Sequence, residues 1–371
     1  MIKIYASLKI HLKHLPQEDI SQLHILKREF SKLYNCCVKA LNTEYSISQR
    51  ILGVSELHHK MCQHPQAKAL GKPYMYAANI ALQNYRSSIY NHMKTPNFYS
   101  LNHSITLKGG HLNGVINLPA TSKTTAISIP LPEIYHSLKI QMLHIKYQHG
   151  EWNLIITYEK TPKTAAKKKI NSVGVDMGVE NLLAVACSNG NTAIIDGRYL
   201  KFLCYKLRFS EEKKAERIKR QMDGYLNKAA KILVDFCAAN DAAEMYMGNA
   251  LIYNGALYNM YKEIPFSLLY RKIEFKCREY GIKFYCVPEA YTSKASFIDG
   301  DFVPMTHYRT KSVFSGSRIK RGLYRTKDGL LINADINGAL NILAKYDEYR
   351  LQPLQQNPAL IKQPSRIKII T

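Results

Sequence analysis

Ser172-Val-Gly-Val-Asp-Met-Gly-Val-Glu-Asn-Leu-Leu-Ala-Val-Ala-Cys187 decides how this chain is read. Two runs of aliphatic and β-branched residues flank Gly178, and Ser188-Asn-Gly-Asn191 follows with hairpin-turn chemistry. Asp176 stands inside the first run, where a buried strand carries Val or Ile. A lone carboxylate in a sheet is costly unless something cationic meets it. A strand-end Asp satisfied by backbone donors is the commoner arrangement. Here Gly174 and Gly178 remove side chains on either side, which leaves room for a ligand or metal at the backbone. Asp176 is therefore read as a site residue, and its partners are sought elsewhere in the chain.

At 371 residues the chain is long enough for two or three domains, and 46% hydrophobic residues exclude wholesale disorder. No apolar run reaches the roughly 18 residues of a membrane span. The alternating start, Met1 to Ile10, lacks the apolar core of a signal peptide, so a cytoplasmic location is expected. Fifty-two Lys and Arg against 28 Asp and Glu give a net charge of +24. Such an excess repels itself in the compact state, and a polyanion relieves the repulsion. With 26 Tyr available for stacking, nucleic acid leads as the partner. A membrane surface fits less well, because the basic residues are scattered and not gathered on one amphipathic helix. The eight cysteines form no C-x-x-C pair and read as free thiols.

Along the chain, residues 1–12 read as a strand. Helical spacing follows from Asp19 through Leu41 and again over residues 74–93, with residues 46–73 unplaced. Short strands separated by Gly, Pro, Asn and Ser occupy residues 100–160. This pattern suggests a small β-barrel, from 1–12 and 100–160, into which the helical segment 13–99 is inserted. A basic linker, 161–170, carries Lys167, Lys168 and Lys169 and is expected to face phosphate. From residue 171 to 346, strands alternate with helices, as in an α/β sheet covered by helices. The segment 292–332 reads as a basic insert, and residues 347–371 as a loosely ordered tail.

Three acids occupy telling places: Asp176 on the first strand of this domain, Glu289 just past a later strand (282–287), and Asp335 in the first turn of the last helix. Carboxylates at strand ends and a helix start can converge on one edge of a sheet. Ala334, Gly338 and Ala339 would let that helix press close. Three such groups raise one another's pKa unless a cation sits among them. Hard oxygen donors favour Mg2+ or Mn2+, and a pair of such ions suits phosphodiester hydrolysis.

The motifs G-V-D-M-G-V-E-N-L and D-I-N-G-A-L-N-I, with Glu289-Ala-Tyr-Thr-Ser-Lys-Ala-Ser296 between them, resemble the RuvC-like nuclease domain of the TnpB (OrfB) proteins of bacterial insertion sequences. The helix Leu26 to Leu41 is similar to that family's entry helix. The resemblance implies a wedge-like barrel holding a helical recognition lobe, followed by a ribonuclease H-like RuvC domain. It also implies a monomeric, transposon-encoded bacterial enzyme at the nucleoid, with a guide RNA from the transposon end and double-stranded DNA as target. Asp176, Glu289 and Asp335 are then its catalytic acids and metal ligands.

Two departures qualify the resemblance. Most relatives carry the second acid in an E-D-L motif at the end of the fourth strand, where this chain reads Met245-Tyr-Met-Gly-Asn249. Glu289 is read as the relocated acid; its rival Glu244 starts that strand and should point to the opposite end. The family's two C-x-x-C pairs are also missing, and His307 alone cannot replace four ligands, so no zinc is expected. The insert instead carries seven Lys or Arg and no acid from His307 to Lys327. Lys311, Arg318, Lys320, Arg321 and Arg325 are expected to meet RNA or DNA phosphates, from a small hairpin over 314–324.

G-V-D-M-G is also similar to the first strand of actin-like sugar kinases, but Val179 stands where those have Thr or Ser, and no adenosine loop follows. Two other functions fit a basic chain of this kind. One is a nuclease-inactive, RNA-guided repressor; the other is a transposase that joins DNA without RNA.

Overall fold

The computed structural model describes residues 4–90, 104–109, 114–148, 150–161, 169–249, 264–305 and 313–370. The chain divides into two units, Met1–Thr161 and Pro162–Thr371.

In the first unit, strand β1 (Ile4–His11) leads into helix α1 (Gln17–Ser48). Leu23, Leu26, Phe30, Leu33, Tyr34, Cys37 and Leu41 recur three or four residues apart on α1 and all are buried. They pack in one core with helix α4 (Tyr76–Tyr90), whose Ala77, Ala78, Ala81 and Leu82 face inward. The unplaced stretch supplies α2 (Val54–Cys62) and α3 (Pro65–Leu70). Both begin on local caps: Glu56 returns to the Gly53 amide at 2.6 Å, and the His64 ring accepts from the Gln66 amide at 3.2 Å.

Strands β2 (Ile105–Lys108), β3 (Val115–Leu118), β4 (Ile127–Pro130), β5 (Ile140–Gln148) and β6 (Glu151–Lys160) follow. They do not close the expected barrel among the described residues. The order β1-β6-β5-β2 is an open sheet with β1 and β2 as its edges, and β3-β4 is a separate hairpin. A barrel needs every strand to be long and staggered enough to find two partners, and four-residue strands such as β2 are not.

The second unit is a six-stranded sheet. Its strands are β7 (Asn171–Met177), β8 (Asn181–Cys187), β9 (Thr192–Asp196), β10 (Ala242–Gly248), β11 (Lys283–Val287) and, near the C-terminus, β15 (Ser365–Ile367). The order is β11-β10-β7-β8-β9-β15, with β7-β8-β9 antiparallel and β10, β11 and β15 parallel to their neighbours. Helices α5 (Arg198–Arg208), α6 (Glu212–Ala239) and α7 (Phe266–Glu279) share one core with Val173, Val175, Met245 and Met247. Helix α8 (Ala334–Gln356) covers the opposite face, against Ala184, Ala186 and Ile194. A three-stranded sheet of β12 (Ser317–Lys320), β13 (Leu323–Arg325) and β14 (Leu331–Asn333) precedes α8. The expected loose tail from 347 is instead the end of α8 followed by β15, held because Ile367 packs into the apolar core as its backbone pairs with β9.

Alternation along β7 sends Val173 and Val175 to one face and Gly174 and Asp176 to the other. The two glycines of the opening stretch do not clear a path for a ligand. A Cβ on Gly174 would lie 2.2 Å from the Ala339 carbonyl oxygen of α8, and one on Gly178 would lie 2.5 Å from that of Asn181. The first admits a helix backbone and the second a tight turn.

One polar knot lies inside the first unit. Glu29, only 5% exposed, accepts from Lys32 at 2.8 Å, Gln66 at 2.7 Å and Lys123 at 3.1 Å, joining α1, α3 and the β3-β4 connection. Burial alone would raise its pKa, but these donors outweigh burial and hold it down at about 2. A depressed carboxylate stabilises the fold above its unfolded pKa of 4.5, and that stability is lost as pH falls toward 2. Glu29→Gln should cost about 1–2 kcal/mol at pH 7. Melting curves should show the gap between wild type and variant narrowing below pH 4.5, the intrinsic value for this carboxyl.

Candidate active site

Asp176 is the penultimate residue of β7, and Glu289 follows β11 by two residues, past Val287 and Pro288. Since β7, β10 and β11 run parallel, both acids leave the sheet at the same end. Asp335 enters from the first turn of α8, whose cap Asn333 accepts from the Asp335 amide at 3.0 Å and the Ile336 amide at 3.1 Å. Glu244 pairs with Lys283 at the opening of β11, the opposite end of the sheet, and there accepts from Tyr246 and the Lys283 ammonium.

Gly338 and Gly248 make room for two of the three acids. A Cβ on Gly338 would lie 2.9 Å from Asp176 Oδ2, and one on Gly248 would lie 2.1 Å from Glu289 Oε1. Gly248 ends β10, the strand on which relatives are expected to carry their acid. The bare strand end is therefore filled by the Glu289 carboxyl arriving from the next strand.

The last helix also shapes the approach to Glu289. Asn337 and Asn341, both buried, donate to the Ala295 carbonyl at 2.8 and 2.7 Å, and Asn341 also donates to that of Thr292. Lys345 donates to the carbonyls of Pro288 and Ala290, at 3.2 and 2.7 Å, on either side of Glu289. The spacing D-x-N-G-A-x-N thus encodes an acid, a clearance and two amide clamps on one helix face. Sequence reading took the pattern as a signature without seeing the clamps.

Electrostatically the three acids form one system. The Asp176 carboxyl is pushed well above the usual range, first by burial and then by the neighbouring Glu289 and Asp335 carboxylates; Arg318 and the Met177 amide oppose this. Burial raises Glu289 to about 7 against the pull of Lys345, whose own pKa burial lowers to about 8. Asp335 is held by Arg318 at 2.9 Å and by the Asn181 amide at 2.6 Å. Neither Asn181 nor Lys345 was singled out from sequence, although Asn181 lies within the opening stretch.

These residues suit a hard divalent cation by their chemistry. Glu289 Oε1 is buried with no hydrogen-bond partner, and Asp176 is destabilised by two like charges, a pairing that a cation among them would reverse. Among the described residues, no three acidic, histidine or cysteine side chains already surround one point closely enough to hold an ion. Arg318 supplies the positive charge nearest Asp335.

The basic residues expected at phosphates divide. Lys320 and Arg325 are exposed on β12 and β13, and Arg321 is exposed but pairs with Glu180 at 3.4 Å. Arg318, from the same sheet, turns onto Asp335. Lys169 donates to the Tyr280 carbonyl and is partly buried, which lowers its pKa, so it is not presented to an outside phosphate as expected. Lys167, Lys168, Lys311 and His307 lie outside the described residues.

Comparisons with known proteins agree with the fold. The family described as Cas12f1-like, TNB domain, matches residues 266–342, which run from α7 through the three-stranded sheet to the first turns of α8. A cryo-EM structure of a Cas12f1-sgRNA-target DNA complex matches with 17% identity and a TM-score of 0.66, over 88% of this chain and 82% of that one. A cryo-EM structure of a CRISPR-Cas12f ternary complex has 18% identity over 87% of this chain and 81% of that one, with a TM-score of 0.34. CasPhi-2 (Cas12j) bound to crRNA has 7% identity over 95% and 98%, with a TM-score of 0.42. No curated protein sequence matches the chain. No helix among the described residues is long and apolar enough to cross a membrane. The chain therefore shares its fold with Cas12f1, and its residues 266–342 match the Cas12f1-like TNB model, which supports the resemblance to the TnpB family at the level of a TnpB/Cas12f-like one.

Proposed function

We propose that this chain is an RNA-guided, divalent-metal-dependent DNA endonuclease encoded by a bacterial transposon, acting as a monomer at the nucleoid. The reading is carried by one observation: Asp176, Glu289 and Asp335 reach the same end of one sheet, where burial and the other two carboxylates push the Asp176 carboxyl well up. The net charge of +24 and the complex of Cas12f1 with guide and target support RNA and DNA as partners.

In this reading Asp176, Glu289 and Asp335 hold Mg2+ or Mn2+, with no zinc elsewhere. The bound metal would stabilise charge on the phosphoryl oxygens and lower the pKa of an attacking water. The chain's own groups set the rest. The Asn181 amide fixes which Asp335 oxygen stays turned toward it. Burial keeps Glu289 partly protonated near neutral pH until a cation displaces the proton. The Arg318 guanidinium, with a planar fork of donors, is suited to take a phosphate oxygen next to Asp335. Lys320 and Arg325 extend the positive surface along the same small sheet. The Arg318–Asp335 pair also favours a second reading, the nuclease-inactive repressor, in which that ion pair persists and no metal enters.

Strand cutting on guide-complementary DNA at millimolar Mg2+ separates the two readings; binding without cutting supports the repressor. Asp176→Ala, Glu289→Ala and Asp335→Ala should each reduce cutting by about 10³-fold or more while co-purifying RNA is retained. Glu244→Gln should cut like wild type. Full cutting by the Glu289 variant would remove that residue from the site.

Gly248→Ala sets a methyl against the Glu289 carboxylate and should reduce cutting by roughly 10- to 100-fold, as expected when a metal ligand is mis-set. An intact melting temperature in that variant would show that the loss is local.

Because Glu289 titrates near 7 and must lose its proton to bind a cation, apparent Mg2+ affinity should fall as pH drops below 7. The slope should reach at least about tenfold per pH unit for the Glu289 proton, and be steeper where the raised Asp176 carboxyl also gives one up. Initial cutting rates across a Mg2+ titration at several pH values would check it.

A further inference from the structure

Three side chains of helix α8, Asn337, Asn341 and Lys345, recur at every fourth residue and so lie along one face. Together they donate to four carbonyls of the segment that follows β11. Asn337 donates to Ala295 at 2.8 Å, and Asn341 to Ala295 and Thr292 at 2.7 and 2.9 Å. Lys345 donates to Ala290 and Pro288 at 2.7 and 3.2 Å, and this rung alone brackets Glu289. We propose that Lys345 is a positioning residue for Glu289: it fixes the turn that presents the carboxylate, and so sets how tightly the site holds a divalent cation. The link to a cation rests on the nuclease reading; the hold on the turn does not.

The turn needs a hold of this kind. Tyr291 has a φ of 62°, in the left-handed region that disfavours a side chain of its size. Such a residue persists only where its surroundings over-determine it. Local bonds supply part of that, since the Glu289 carbonyl accepts from the Thr292 amide at 3.2 Å and from its hydroxyl at 2.9 Å. Those bonds close the turn on itself without anchoring it. Lys345 anchors it, to the helix that also carries Asp335. One helix therefore sets two acids, one directly and one through an ammonium.

A lysine is a costly group for this task, because burial lowers its pKa to about 8. Amides serve on the other two rungs. The ammonium adds what an amide lacks, a positive charge beside Glu289 that opposes the upward push of burial on that carboxyl. Two of its three donors are committed to main-chain carbonyls, which suits a clamp better than a phosphate ligand.

The other side of the carboxyl is braced as well. Glu289 leans on Gly248, whose carbonyl accepts from the hydroxyl of Tyr270 on α7. The Asn249 amide donates to the Val287 carbonyl at 2.8 Å and laces the two strand ends together. What remains to be fixed is the turn itself, and Lys345 fixes it.

Two measurements on the purified chain, with whatever RNA it carries, test this. They compare wild type with Lys345→Met, Lys345→Arg and, as control, Lys283→Met on the exposed side chain at the other end of β11. The first is hydrogen exchange without metal, followed on peptides covering residues 288–296. Exchange there should be about tenfold faster in Lys345→Met, mostly restored in Lys345→Arg and unchanged in the control, with melting temperatures within a few degrees. Should Lys345→Met not fold, Lys345→Gln, which can keep one of the two bonds, should show a smaller rise. Exchange at the wild-type rate overturns the proposal whatever the cutting assay shows.

The second is a Mn2+ titration followed by electron paramagnetic resonance, counting the binding that Asp176→Ala abolishes. Lys345→Met should raise that dissociation constant about tenfold, and the Mg2+ concentration for half-maximal cutting by a similar factor. The kcat at saturating Mg2+ should change less than about twofold. Unaltered Mn2+ affinity, or a fall in kcat that saturating metal does not relieve, would overturn the positioning role. If exchange rises as expected but wild type neither binds Mn2+ at the acids nor cuts, the nuclease reading fails and the hold on the turn stands.

Discussion

Helix α8 lies so close to strand β7 that each gives up a side chain where the other presses on it. Gly174 receives the Ala339 carbonyl, and Gly338 receives the Asp176 carboxyl. A methyl at either place would have to move backbone or carboxylate, in a layer packed without slack. This close approach is what turns two acids, some 160 residues apart in sequence, into neighbours. It also sets the height at which Asn337 and Asn341 meet the carbonyls of the loop after Glu289, so the third acid is positioned from the same helix. The site is thus a by-product of one helix-sheet contact.

The contact has an electrostatic cost that the surroundings offset unevenly. Asp335 already has a guanidinium and an amide, whereas Asp176 has little beyond its own backbone and Glu289 keeps one buried oxygen without a partner. Burial of Glu289, and burial of Asp176 beside two other carboxylates, favours protonation of both. A fold built only for stability would replace such a group with apolar residues. The persistence of this imbalance, next to a strongly basic small sheet, argues for a site whose missing positive charge comes from outside the chain.

Asp176 and Asp335 were legible because each breaks a strong local pattern, a carboxylate inside a β-branched run and an acid in the first turn of a small-residue helix. Glu289 was legible by position at a strand end. Its reason became visible only in space, where Gly248 on the adjacent strand is seen to make room for it. Gly174 was misread: a glycine beside an acid signals close approach, but sequence cannot say whether a ligand or a helix makes it. Arg318 was recognised as basic but not as the partner of Asp335, since a hairpin's facing direction depends on register. Strand β15 left almost no signal. It has three residues, two of them polar, and pairs in parallel with a strand about 170 residues upstream, so no turn announces it. Among the described residues the expected barrel does not close, for the converse reason: alternation marks strands well, but closure depends on length and stagger.

The proposed relocation of the second acid is one that the sheet itself allows. In a parallel pair, neighbouring strands end side by side, about 4.8 Å apart, so an acid just beyond one strand can reach the space before the end of the other. Gly248 pairs with Val287, and Glu289 lies two residues further on, past a proline that ends the strand. Two residues of reach cover the offset between strands, provided the vacated position carries no side chain. The site therefore constrains the sum of the two positions, not either alone: one carboxylate and one clearance, in either order. An acid at the end of β10 with a small residue after β11 would serve the same geometry as the glycine and glutamate found here.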